Sequence, residues 1–229
     1  MADNYETLVR WFLRFNGYFG VESFIIHEPM DGGNRQGGET DVLGIRLPFS
    51  KENPGFQLIN YSGLFDNEVN DKHLIDIVIA EVKNRDDDYL NPIWLADEPK
   101  YLERVAYIIR WIGAFQDEET IYKVACTLKK KYRCQEGQFL FRFFYFGRHS
   151  HLHFKELGIS QITFQNIIQF FIHSRSPSFY VNDLGVRSPH SQWDTLIKDI
   201  WKIGDPKSKL SLDEQEKHIF DLLNWNNKG

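Results

Sequence analysis

Cys126 and Cys134 are the only cysteines in the chain. Two are too few for a disulfide framework, and their spacing is not that of a zinc site. Residues 1–6 show no basic region followed by an apolar stretch, so no signal peptide is expected and both thiols belong in a reducing cytosol. No apolar run approaches the roughly 18 residues of a membrane span. The expectation is therefore a cytoplasmic protein without a membrane partner. Internal repeats and low-complexity tracts are lacking too. So is an excess of positive charge: the net charge is −5, which argues against a protein that coats nucleic acid without discrimination.

What is present suits a well-filled core. Hydrophobic residues make up 42% of the 229 and aromatic residues 15%, Phe alone occurring 19 times. That is enough for one sizeable core, or one core with a small appended module. Charge is segregated along the chain. Residues 1–98 hold 8 Lys and Arg against 18 Asp and Glu, and the remainder holds 19 against 14. An acidic half is a natural host for divalent cations, and a basic half can receive a polyanion.

Periodicity divides the chain into elements. Leu8, Val9, Phe12 and Leu13 form one stripe of a helix over 5–16, stopped by Gly17. Residues 20–27 and 40–47 read as strands, with a four-glycine loop at 31–38 between them. The apolar run at 76–83 reads as a central strand. Residues 48–74 form an irregular insertion. Leu102, Val105, Ile109 and Ile112 recur at helical spacing over 98–115. Strands are expected at 121–128 and 139–146, joined by a basic turn at Lys129 to Lys131. Beyond 149 the pattern is helical, over 162–173, 193–201 and 212–224, with Ser211 or Asp213 as a cap for the last. This order predicts an α/β fold with one central mixed β-sheet flanked by helices, and a C-terminal helical extension packed on the core. The expected parts are a core at 1–147 and the extension at 148–229.

The chemistry concentrates in two segments. Side chains at i and i+2 of a strand share a face, so Glu81 and Lys83 emerge together at the end of the 76–83 strand, with Val82 turned inward. If the 40–47 strand runs antiparallel beside it, Asp41 arrives next to Glu81. Two carboxylates and an ammonium suit Mg²⁺ and a phosphate substrate: the ion polarises the phosphate and acidifies a water, and Lys83 orients or deprotonates that water or stabilises developing charge. Glu39 shares the face of Asp41, and Glu6 lies on the first helix. Arg35 at the glycine loop, and Lys100 with Arg104 on one helix face, are candidates for nucleic-acid phosphates. The loop lacks the pattern of a phosphate-binding P-loop. His149, His151 and His153 alternate as zinc ligands can, without an acidic or cysteine partner nearby. Trp193, Trp201 and Trp225 read as core or interface residues.

Asp41 within Gly38-Glu39-Thr40-Asp41-Val42-Leu43-Gly44, followed by Glu81-Val82-Lys83 at the end of the next strand, resembles the PD-(D/E)xK nuclease superfamily. Over about residues 3–147, the order of elements matches its restriction-endonuclease-like αβββαβ core. Thr40 stands where the family's proline is common, the 48–74 insertion is longer than in compact members, and the Gln-x-x-x-Tyr pattern of the RecB-like branch is missing. The resemblance implies a metal-dependent endonuclease using Mg²⁺ or Mn²⁺ to hydrolyse phosphodiester bonds in DNA, leaving a 5′-phosphate. Asp41 and Glu81 would be the ligands, with the Val82 carbonyl and with Glu6 and Glu39 as further ones, and Lys83 would serve the water. Cleavage of both strands implies a homodimer or a partner protein that supplies targeting, and a defence role would suit a small stand-alone nuclease. The alternative is a non-catalytic nucleic-acid-binding or assembly module that keeps the fold. On the nuclease reading, Lys83→Ala is expected to abolish cleavage and leave the thermal melt nearly unchanged.

Overall fold

The computed structural model describes residues 3–30, 33–48, 73–84, 89–173, 193–205 and 207–224, without the side chains of 25–39. The chain opens with α1 (Asn4–Phe15), whose first turn is capped by Asp3 accepting from the Tyr5 N–H. A meander follows: β1 (Phe19–Met30), β2 (Gly33–Arg46) and β3 (Ile75–Lys83). Three helices come next, α2 (Pro92–Leu95), α3 (Pro99–Ile112) and α4 (Glu118–Lys131), then the hairpin of β4 (Arg133–Glu136) and β5 (Phe139–Gly147). The C-terminal part comprises α5 (Leu152–Glu156), β6 (Ser160–Thr163), α6 (Phe164–His173), α7 (Thr195–Ile203) and α8 (Leu212–Asn224). The strands form one mixed sheet in the order β1-β2-β3-β5-β4, and β6 also pairs with β5. The β1–β2, β2–β3 and β4–β5 pairs are antiparallel, whereas β5 runs parallel to β3 and β6 parallel to β5. The parallel β3–β5 step needs a crossover, and α2, α3 and α4 supply it. The architecture is α/β, with helices on both faces and a largely helical C-terminal part.

Helices cover the two faces of the sheet with separate cores. Val78, Ala80, Val82, Phe144 and Phe146 face α1, α6, α7 and α8. Ile77, Ile79, Phe141, Phe143 and Tyr145 face α2, α3 and α4. Such two-sided burial explains why β3 and β5 read as continuous apolar runs. At Gly44 an added Cβ would sit 3.1 Å from Leu13 Cδ1, so the missing side chain lets α1 lie close on β2. Trp201 is buried against Phe15 and Trp193, a core role as expected, while Trp225 lies outside the described residues.

Several expectations are corrected. Residues 121–128 belong to α4, not to a strand: Ile121, Val124, Ala125 and Leu128 are buried at helical spacing, and Asp117 caps the helix through the Thr120 N–H. Lys129 to Lys131 form its last turn, where cations complement the helix dipole, instead of a hairpin turn. β4 went unrecognised because it has only four residues. The loop expected at 31–38 is mostly strand, since β2 begins at Gly33 and pairs with Met30. Residues 162–163, expected to open a helix, instead end the strand Ser160–Thr163, which pairs along β5, and the helix starts at Phe164. The last helix keeps its expected bounds. Ser211 caps it: the Glu214 N–H donates to Ser211 Oγ, and the Ser211 N–H donates to Glu214 Oε2, a reciprocal capping box. Among the described residues no helix is long and apolar enough to cross a membrane.

The core facing α1 contains a buried ion pair. Arg142 of β5 donates from Nε to Asp76 Oδ1 at 2.9 Å and from Nη2 to Oδ2 at 2.5 Å, and Tyr18 also donates to Asp76. Asp76 is 1% exposed and Arg142 3%, so each charge depends on the other. Arg142→Leu is expected to destabilise the protein by about 3–5 kcal/mol by stranding the carboxylate. Replacing Asp76 and Arg142 together with Leu should restore most of that loss. Urea unfolding of both variants measures the difference, and equal losses would refute the coupling.

Candidate active site

The register of the meander builds the site. Val42 pairs with Ala80 and Leu43 with Ile79, so one step further Asp41 stands opposite Glu81, on the same face of the sheet. Asp41 Oδ2 accepts from the Val82 N–H at 2.6 Å. Glu81 is 2% exposed. Its Oε1 lies 2.5 Å from Lys83 Nζ and accepts from the Asn91 N–H at 3.2 Å. Asn91 also caps α2 through the Ile93 N–H, so the start of the crossover is tied to the acidic pair. The three sequence-expected residues thus meet at the C-terminal end of β3.

Their charges do not balance. Partial burial and the neighbouring Glu81 carboxylate push Asp41 up from its ordinary 3.8 to about 7, against the Val82 N–H and Lys83, which pull it down, and with a further push from Glu6. Two carboxylates share one ammonium, and the misfit falls on Asp41. A strained residue adjoins it. Ser23 lies between the pairs Glu22↔Val42 and Phe24↔Thr40, which puts it opposite Asp41, with φ 48°. Left-handed backbone at a residue with a Cβ costs roughly 1–2 kcal/mol. Ser23 Oγ donates to Glu6 Oε2 at 3.2 Å, bringing the first turn of α1 to the same corner.

The other sequence-expected residues are placed less tightly. Val82 contributes its N–H to Asp41 and buries its side chain toward α1. The side chains of Glu39 and Arg35 lie outside the described residues. Lys100 pairs with Glu98 at 2.6 Å, and both Lys100 and Arg104 lie over the ring of Tyr101. Among the histidines, His151 Nε2 is 3.1 Å from the Tyr145 hydroxyl. Among the described residues no group of three or more His, Cys, Asp or Glu side chains is placed to hold a metal ion. Sequence reasoning missed Asn91, although Asn91-Pro92 is a recognisable helix start. It also missed a cluster around Asn84 and Arg148, which no local pattern announces.

Comparison with protein-family models, with curated proteins and with solved structures finds no match.

The electrostatics lead to two expected outcomes. Asp41 titrates higher in the folded chain than in the unfolded one, so its ionisation opposes folding. Stability should fall as pH rises from about 4 through about 7 and level off above. Asp41→Asn keeps an acceptor for the Val82 N–H and removes that charge. It should therefore gain roughly 2–4 kcal/mol over the wild type at pH 8 and little at pH 4, as chemical unfolding across pH would show. Lys83→Ala, by contrast, leaves the buried Glu81 without its cation. A loss on the order of 1–3 kcal/mol is expected in the melt, where the sequence alone leads to the expectation of a nearly unchanged one.

Proposed function

We propose that this chain is a metal-dependent endonuclease that hydrolyses phosphodiester bonds in DNA, on a restriction-endonuclease-like core. The observation carrying this reading is the under-neutralised pair: Asp41 raised to about 7 beside buried Glu81, with Lys83 as the shared cation. Stability alone would replace Asp41 with an uncharged residue, and sites that cost stability are typical of function.

The donor set fits a divalent cation. Asp41 Oδ1 and Glu81 Oε2 are the carboxylate oxygens not committed to the bonds described above, and they are hard ligands on one face. Two protein carboxylates without a third suit Mg²⁺, which keeps several waters and meets substrate oxygens, better than an ion that needs a protein cage. A bound Mg²⁺ or Mn²⁺ would supply Lewis-acid polarisation of the phosphate and a lowered water pKa. The chain's own groups do the rest. Glu81 holds Lys83 by its ammonium, and Lys83 orients the attacking water and neutralises charge that builds on the phosphate. The oxygen of water bonds to phosphorus, the bond to the 3′ oxygen breaks, and a proton goes to the leaving oxygen, giving a 3′-hydroxyl and a 5′-phosphate. The Val82 N–H fixes the Asp41 carboxylate so that it need not reorganise. DNA as the substrate, and a second copy or a targeting partner, rest on the family resemblance and on the basic balance of residues 99–229.

Cleavage of plasmid, linear and single-stranded DNA and of RNA, with Mg²⁺, Mn²⁺ or EDTA, tests the reading. The wild type should cut DNA with either metal and stop in EDTA. Asp41→Asn should lose at least about 100-fold in rate while melting higher at pH 8. Mg²⁺ should also raise the melting temperature of the wild type, and leave that of Asp41→Asn unchanged. A variant that gains stability and still cuts at the wild-type rate would end the assignment.

A further inference from the structure

The C-terminal helix reaches the same corner as the acidic pair, through one arginine. Arg148 is the first residue beyond β5, beside the end of β3, because Gly147 pairs with Lys83. Its Nε donates to the carbonyl of Asn84, the residue that follows Lys83, at 2.5 Å. Its Nη2 donates to Asn224 Oδ1 at 3.0 Å and to the Tyr5 hydroxyl at 3.2 Å. Tyr5 donates in turn to Asn224 Oδ1 at 2.8 Å, and its ring lies under the guanidinium, 5.6 Å from centroid to carbon. The first turn of α1 is held from two more directions: Asn4 donates to the Leu223 carbonyl at 3.0 Å, and Asn84 Nδ2 donates to Asp3 Oδ2 at 2.5 Å. Three chain segments, 3–6, 83–84 and 223–224, are therefore joined around one planar cation.

We propose that Arg148 is a positioning residue that ties the end of β3 and the first turn of α1 to the end of α8, so that the C-terminal helix sets where Lys83 and Glu6 stand. The anchor is firm. Ile219 and Leu223 of α8 are fully buried in the core that α1, α6 and α7 share, and the capping box holds its start. The strand end is the part that needs support. β3 stops at Lys83, and Asn84 is the first residue past its ladder. Without a bond to its carbonyl, the lysine stands at a frayed terminus. A guanidinium suits the task because its rigid fork meets a carbonyl, a hydroxyl and an amide oxygen at once, which one ammonium cannot. The C-terminal part thereby completes the site instead of forming a separate module. This inference rests on the nuclease reading for its kinetic consequence, but not for its structural one.

The test uses the full chain and reads the two consequences separately. Arg148→Met, Arg148→Lys and Asn224→Ala are compared with the wild type by DNA cleavage and by hydrogen exchange of peptides covering 3–6 and 81–84. All three should keep the wild-type circular dichroism spectrum and hold KM within about twofold, while kcat falls about 10- to 100-fold. Exchange in both peptides should quicken, and lysine at 148 should not rescue. Should Arg148→Met fail to fold, Asn224→Ala decides, because it removes only the helix-end contact. Wild-type kcat together with unchanged exchange would overturn the proposal. A wild type inactive on every nucleic acid would sink the nuclease reading, and exchange alone would then decide whether Arg148 couples α8 to β3.

Discussion

Two neighbouring carboxylates, Asp41 and Glu81, beside a single lysine that pairs with Glu81 are the constraint on which the rest of this structure turns. Asp41 cannot move away from Glu81, because the pairing of Val42 with Ala80 and Leu43 with Ile79 fixes the register of β2 on β3. A slip by one residue would turn every apolar side chain of β2 to the opposite face. The hydrophobic alternation that stabilises the sheet thus also enforces the electrostatic misfit. Folding free energy from the two cores on either side of the sheet offsets its cost, so the acidic pair persists where isolated strands would relax it.

A second buried carboxylate in the same sheet is neutralised within the fold. On the opposite face of β3, Asp76 is more deeply buried than Asp41, yet it receives a bidentate guanidinium and a phenol hydroxyl. That carboxylate is satisfied within the fold. Asp41 has a backbone N–H and a share in a lysine that Glu81 also holds. A sheet able to place an arginine beside one buried carboxylate has left another under-neutralised, at an edge where strands end and helix α1 begins. The strained Ser23 opposite Asp41 marks the same corner. A bound divalent cation would correct the balance that the chain leaves open, and in this way geometry and charge converge on the proposed chemistry.

Much of the site was legible in the sequence because strand periodicity is local. Alternation over 76–83 implied that Glu81 and Lys83 share a face, and an apolar run of that length implied burial on both sides. α1, α3 and α8 were readable for the matching helical reason, together with Gly17 as the stop of α1 and Ser211 as a cap for α8. Residues 121–128 misled because Ile, Val, Cys and Thr favour strands by propensity. The spacing of Ile121, Val124, Ala125 and Leu128, and a cap at Asp117, outweigh that preference once α4 packs on the sheet. β4 and β6, four residues each, carry too little pattern to be seen alone and exist because β5 offers them its edge.

The local pattern of residues, on its own, determined which side chains could act and which faces they would occupy, since those depend on spacing along one strand or helix. It could not determine which strands become neighbours, how charges from distant segments sum at one point, or that Arg148 would gather Asn84, Tyr5 and Asn224. Those follow from packing two cores against one sheet, which brings residues more than 200 positions apart, such as Tyr5 and Asn224, within hydrogen-bond distance. Coulomb interactions and desolvation depend on that proximity and that burial, and neither exists before the chain is folded.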